Sequence, residues 1–204
     1  MPDDRSRQDV ELFDKQTAYS GFFDLKIYHF RYRRFDGTWS RRHDREVFER
    51  GPTVAVVLFD PVRDCVVLVE QFRAPMLDDA AGPWVIEAAA GIIDPGESVD
   101  DVVHREAREE TGLIIDRLIR LFDVVPSPGG STERISLYVG LVNAEGAGGV
   151  HGLAAEDEDI RTVVMPLAEA LSEIGGRIVT APAIIGLQWL ALNGGHFAED
   201  APRG

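Results

Sequence analysis

The chain changes its hydrophobic rhythm near residue 51. In LKIYHFRYRRF (25–35), Tyr28, Phe30 and Tyr32 share one parity and alternate with more polar neighbours, the period-two pattern of a strand with one covered face. Asp36-Gly37 then supplies a tight turn, and a second strand through Trp39 to Phe48 is expected to pair back on the first. A sheet of two or three strands is marginal alone in water, so it should pack on the body of the protein or on a second copy.

Beyond residue 51 the strands read as buried. TVAVVLFD (53–60) and CVVLVEQF (65–72) are apolar runs joined by the turn DPVRD, a hairpin pattern, and PWVIEAAAG (83–91) reads as one short strand ending in glycine. SVDDVVHREAREETG (98–112) predicts a helix. Ser98 can cap it, Asp100 and Asp101 suit its N-terminal dipole, Val99, Val102, Val103 and Ala107 form an apolar stripe, and Gly112 stops it. Strands are expected at 118–125, 134–143 and 160–165, with a Gly/Ala-rich acidic loop over 144–159. One helix should open with Pro166 in its first turn and end at Gly175-Gly176, and another should run from Pro182 to Leu192. The pattern is a mixed α/β body over 51–204 with an N-terminal β element over 1–50.

Composition narrows the function. A chain of 204 residues with 45% apolar and 27% charged residues suits one folded domain with a small accessory element. Its 35 acidic against 21 basic residues give a net charge of −14, which disfavours sequence-independent nucleic-acid binding. The charge is uneven: residues 26–50 carry eight basic and four acidic side chains, whereas 94–110 and 156–159 hold eleven acids. One part can touch anions and another can hold cations. The lone Cys65 can form neither an internal disulfide nor a cysteine zinc site, and its flanks read as a buried strand. The apolar run VAVVLF (54–59) falls far short of the ~20 residues that span a bilayer. The start MPDDRSRQDVE lacks the basic and apolar segments of a secretory signal, so a cytoplasmic protein without membrane contact is expected.

The chemistry concentrates in GIIDPGESVDDVVHREAREETGL (91–113). At helical spacing Glu106, Glu109 and Glu110 project from one face, where like charges repel unless cations sit among them. Glu97, just before the helix, can fold back to the same place. All-oxygen ligands of this kind suit Mg²⁺ or Mn²⁺ and not zinc or copper. Arg105 can orient the carboxylates by bidentate hydrogen bonding. Gly91-x4-Gly96 outlines a phosphate-binding glycine loop, but Glu97-Ser98 stands where that loop needs Lys followed by Ser or Thr.

The same stretch matches G-x5-E-x7-R-E-U-x-E-E-x-G-U through Gly91, Glu97, Arg105, Glu106, Glu109, Glu110 and Gly112, with Ala107 and Leu113 in the aliphatic slots. At ~6% usage for each of seven fixed residues, chance gives a match about 10⁻⁹ of the time per window. The sequence thus resembles the Nudix hydrolases, which cleave a nucleoside diphosphate linked to another moiety. The resemblance implies an α/β/α sandwich around a mixed sheet, with the box as loop, helix and loop. It points to Glu106 and Glu110 as principal metal ligands, with Glu109 and Glu97 close by and the backbone carbonyl of Ala90 completing the set.

An attacking water still needs a base. Glu156-Asp157-Glu158-Asp159 lies in the loop EGAGGVHGLAAEDED, long enough to close over a site, and we take Glu156 as base with Glu158 in reserve. Within the family the chain resembles the branch of bacterial ADP-ribose pyrophosphatases. Its proline 16 residues after the last box glycine matches Pro128 in PSPGGSTER (126–134), and HGLAAEDEDI (151–160), FDPVRD (59–64) and Gly21-Phe22-Phe23 also match; Ala155 departs from the acidic residue common in the branch. The resemblance implies Mg²⁺-dependent hydrolysis of ADP-ribose, with other ADP-sugars, to AMP and ribose 5-phosphate, in a homodimer whose N-terminal sheet is swapped. It places Glu133 near the ribose, Phe22 against adenine, and Arg45 and Arg73 at the base or phosphates. The alternatives are that Phe22 is a core aromatic and Arg45 a surface charge. GDP-mannose is the competing substrate, and a non-catalytic ADP-ribose sensor is a third reading that the intact Glu106, Glu109 and Glu110 disfavour.

Overall fold

The computed structural model describes residues 5–197, which form two compact units. The smaller takes the chain up to Gly51 together with Val125–Glu133; the larger takes Pro52–Val124 and Arg134 onward.

In the smaller unit β1 (Val10–Ser20), β2 (Asp24–Tyr32) and β3 (His43–Glu49) form an antiparallel sheet in that order. The expected pair is β2 and β3. The edge strand β1 is an addition, because its register shifts between Leu12 and Asp14 and again between Thr17 and Tyr19. Each shift reverses which face the side chains take, so no alternation survives in VELFDKQTAYS. The segment 125–133 joins this unit by main-chain bonds: Phe48 N–H donates to Gly130 C=O at 2.8 Å, and Thr132 N–H to Phe48 C=O at 3.0 Å.

The larger unit is built on β4 (Pro52–Asp60), β5 (Cys65–Phe72), β6 (Trp84–Glu87), β7 (Ala89–Ile92), β8 (Arg117–Val124), β9 (Arg134–Leu141), β10 (Val150–His151) and β11 (Ile160–Pro166). The main path of its mixed sheet runs β10-β11-β5-β4-β9-β8, and β4 and β9 are parallel. Three helices cover it, α1 (Val99–Thr111), α2 (Leu167–Ser172) and α3 (Ala181–Asn193). Parity sorts the two faces. Val54, Val56 and Leu58 pack with Val102, Val103 and Ala107 of α1, whereas Ala55, Val57 and Phe59 pack with Ala170, Ala183, Leu187 and Leu190 of α2 and α3. The result is the expected α/β/α sandwich. Each fully buried Val or Leu contributes about 1.5–3 kcal/mol, so the helix carrying the carboxylates is held by its valines.

Three expectations are corrected. PWVIEAAAG is two strands, because β6 pairs with β5 while β7 pairs with β4, and the chain breaks at Ala88 to change neighbours. The loop 144–159 carries β10 and a 3₁₀ turn at Ala154–Glu156. Pro166 stands just outside α2 rather than within it, and that helix ends at Ser172. No helix among the described residues is long and apolar enough to cross a membrane.

Candidate active site

Helix α1 begins and ends as its sequence dictates. Ser98 Oγ accepts from Asp101 N–H at 3.4 Å, and Gly112 closes the helix with φ of 72°, a left-handed conformation that glycine adopts without steric cost. Glu106 and Glu110 lie on its buried side and are 9% and 4% exposed. Strand β7 runs against them: Ala90 N–H donates to Glu110 Oε2 at 3.0 Å. A Cβ on Gly91 would overlap the Glu106 carboxyl, so only glycine lets the strand come this close.

Arg105 sits among the remaining carboxylates. Its Nη1 donates to Glu106 Oε1 at 2.8 Å and to Glu109 Oε2 at 3.2 Å, and its Nη2 donates to Glu97 Oε2 at 3.4 Å. The loop before the helix is turned by Glu97, whose Oε2 also accepts from Asp94 N–H at 3.0 Å. Among the described residues no three acidic or imidazole side chains converge as a ready-made metal cage, because the carboxylates are directed at Arg105. The guanidinium does here what the like-charge argument required, holding positive charge between glutamates one turn apart.

The donors nonetheless suit a hard divalent cation. They are oxygens only, crowded on α1 and the loop before it, and two are buried where ionisation is costly. Burial raises the Glu106 carboxyl to about 7, with Arg105 opposing and Glu109 adding to the rise. Burial raises Glu110 to about 8 against the bond from Ala90, with Glu106 adding to the rise. A metal ion would stabilise both anions, by ligands Glu106 and Glu110 and, after exchange with Arg105, Glu109 and Glu97.

These shifts carry a stability consequence. Both carboxyls bind protons more tightly folded than unfolded, so their contribution is full below the unfolded value of ~4.3 and is lost as pH rises through about 7 to 8. The metal-free protein is expected to melt on the order of 5 °C lower at pH 8.5 than at pH 6, and a divalent cation should raise the melting temperature more at pH 8.5. Thermal unfolding with and without chelator at the two pH values checks both signs.

The acidic loop hangs from the far end of the same helix. Gly152 N–H donates to Glu109 C=O at 3.0 Å, and beyond the loop Thr162 Oγ1 of β11 donates to Glu110 C=O at 3.4 Å. Glu158 is half-buried, its Oε2 accepting from Leu153 N–H at 3.0 Å, and its charge bears on both Glu106 and Glu110. Glu156 is exposed and makes no side-chain hydrogen bond or ion pair among the described residues. Arg73, at the end of β5, donates through Nε and Nη2 to Glu87 Oε2 at 2.8 and 2.6 Å, a clamp that sequence reasoning did not anticipate.

The other expected substrate contacts lie in the smaller unit. Phe22 is 86% exposed, so the core-aromatic alternative is set aside, and it meets Phe23 edge-on at 4.7 Å between centroids. Arg50 stacks over Phe23 at 5.1 Å and donates to Glu133 Oε1 at 2.8 Å, which brings Phe22 and Glu133 into one chain of contacts. Pro128 is exposed in a turn closed by Ser131 N–H on Ser127 C=O at 3.0 Å. Arg45 is exposed on β3, donating to Asp44 C=O at 2.9 Å. Arg50 carried no signal in the sequence beyond its charge.

A three-layer sandwich whose first helix gathers the box glutamates against a glycine strand defines a class: the chain belongs to the NUDIX domain family, whose sequence model matches residues 49–183. It is accordingly a hydrolase of the divalent-metal-dependent Nudix type. Among individual proteins it is 46% identical over 194 residues to the ADP-ribose pyrophosphatase of Escherichia coli (strain K12), covering 95% of this chain and 93% of that one. It is 42% identical to the ADP-ribose pyrophosphatase of Haemophilus influenzae over 92% of this chain and 88% of the relative. The GDP-mannose pyrophosphatase of Cronobacter sakazakii is more distant, at 35% identity over 91% of this chain and 96% of the relative. In fold, the chain matches a solved structure described as an ADP compounds hydrolase with a TM-score of 0.69 at 22% identity, covering 93% of this chain and 98% of that one.

Proposed function

We propose that this protein is a Mg²⁺-dependent pyrophosphatase that hydrolyses ADP-ribose to AMP and ribose 5-phosphate and also accepts other ADP-sugars. The observation that carries the reading is the box as folded, with Arg105, Glu106, Glu109 and Glu110 on α1, Glu97 in the loop before it bonded to Arg105, and Gly91 on β7 against Glu106, in a chain 46% identical to ADP-ribose pyrophosphatases. The GDP-mannose reading is second, favoured by the GDP-mannose pyrophosphatases at 32–35% identity and weakened by their greater distance. Mn²⁺ should substitute for Mg²⁺, since both are hard and accept oxygen ligands.

In this reading Glu106 and Glu110 bind the cation, with Glu97, Glu109 and the Ala90 carbonyl beside them, and Arg105 keeps the carboxylates aligned. The ion, when bound, neutralises the pyrophosphate charge and acidifies a water. Glu156, free of other partners among the described residues and close in sequence to the tether at Gly152, takes the proton of the attacking water. The hydroxyl adds to one phosphorus, the bridging P–O bond breaks, and the leaving phosphate keeps the bridging oxygen. Arg73, oriented by Glu87, offers positive charge to the phosphates. Phe22 can stack on adenine, Glu133 can accept from ribose hydroxyls, Pro128 shapes the turn beside it, and Arg45 meets the base.

We also infer a homodimer in the cytoplasm, in which the N-terminal sheet of one copy serves the substrate site of the other. The long edge strand β1, with Phe13 42% and Tyr19 66% exposed, supports a partner for that sheet. The solution mass by light scattering should be twice the 22.5 kDa of one chain, and a monomer would remove this part of the reading. The substrate is tested by steady-state rates with Mg²⁺. kcat/KM for ADP-ribose should exceed that for GDP-mannose by at least tenfold, and the reverse order would transfer the protein to the second reading.

A further inference from the structure

Helix α1 is tied to its surroundings unequally. Among the described residues its C-terminal half has three polar ties: Ala90 N–H to Glu110, Gly152 N–H to Glu109 C=O, and Thr162 Oγ1 to Glu110 C=O. At its N-terminal end Tyr138 supplies a polar tie to the sheet. This residue lies on β9, is 2% exposed, and packs in the same apolar cluster as Val102, Val103 and Ala107. Its hydroxyl donates to Asp100 Oδ1 at 2.8 Å, in the first turn of the helix. Asp100 itself is exposed, so the bond reaches from the core to the surface end of the helix.

We infer that Tyr138 is a positioning residue for the metal-binding helix, acting through Asp100 to fix the end of α1 that carries Glu97. This rests on the metal site proposed above. A helix behaves as a rod with a 1.5 Å rise per residue, so Glu106 stands about 9 Å along the axis from Asp100. With the far end held at three points, freedom at the first turn becomes a tilt that moves the Glu97 loop and misaligns it with Glu106 and Glu109. The ring of Tyr138 fills the core whether or not it carries oxygen, whereas the hydroxyl donates to a helix residue, with the Arg120 guanidinium of β8 also bonded to it. Its loss is therefore felt in helix placement more than in packing. Partners that orient metal ligands cost 10–100-fold in affinity when removed, and Tyr138 stands one step further out.

The test is Mn²⁺ binding to the purified protein without substrate, read as free Mn²⁺ by electron paramagnetic resonance, alongside thermal unfolding. Tyr138→Phe and Asp100→Ala should each raise the Mn²⁺ dissociation constant about three- to tenfold, and the double variant no further than the larger single effect. Asp100→Asn, whose amide oxygen still accepts the hydroxyl, should keep the affinity within twofold. A folded Tyr138→Phe protein with unchanged Mn²⁺ affinity would overturn the inference. So would Asp100→Asn behaving like Asp100→Ala, since charge alone would then be the cause. Absence of Mn²⁺ binding in the unaltered protein would overturn the metal site itself, and this inference with it.

Discussion

Glu106→Gln is expected to lower kcat on ADP-ribose by on the order of 10³-fold or more while leaving the protein folded. Glu106 is 9% exposed, lies on the box helix against β7 at Gly91, and is already bonded to Arg105. Gln occupies the same volume, so Val102, Val103 and Ala107 should keep their packing. What is lost is the anion. Burial raises this carboxyl to about 7 and a bound cation would favour its ionised form, so a neutral amide removes a principal ligand. The variant should also lose part of the Glu109 repulsion, so its metal-free form should melt no lower than the unaltered protein at pH 8.5. Activity within tenfold of the unaltered protein, measured at saturating Mg²⁺, would remove Glu106 from the ligand set.

The second large effect belongs to the loop. Glu156→Gln is expected to reduce kcat about 10²–10⁴-fold, the usual share of a general base, with Mn²⁺ affinity nearly intact. The assignment rests on availability: Glu156 is exposed and uncommitted, whereas Glu158 holds the Leu153 N–H and closes its own turn. Glu158→Gln keeps an acceptor for that N–H and should cost less. The steady-state rates of the two variants decide between them, and a larger loss in Glu158→Gln would exchange the roles.

What could be read in the chain was what is local. The hairpin of β4 and β5 and the ends of α1 follow from short-range signals: apolar runs about a turn, Ser98 as cap, Gly112 at positive φ. The box was legible for the same reason, since helical spacing alone puts Glu106 and Glu110 together. Features set by distant partners were not. The break at Ala88 exists because two neighbouring segments pair with different strands, and β1 hides behind its register shifts. The Arg50–Glu133 pair joins residues 83 apart in sequence, and Arg73 gives no sign of Glu87 until the sheet forms. Within the box the sequence pointed to Arg105 as a partner of the carboxylates, but not to its bridging Glu97, Glu106 and Glu109 at once.

The most direct test of the account is the fate of ADP-ribose incubated with the purified protein, followed by chromatography with and without a chelator. The account predicts AMP and ribose 5-phosphate in equal amounts with Mg²⁺, and neither with chelator. Intact ADP-ribose in the presence of Mg²⁺ and active-site residues fully folded would contradict it.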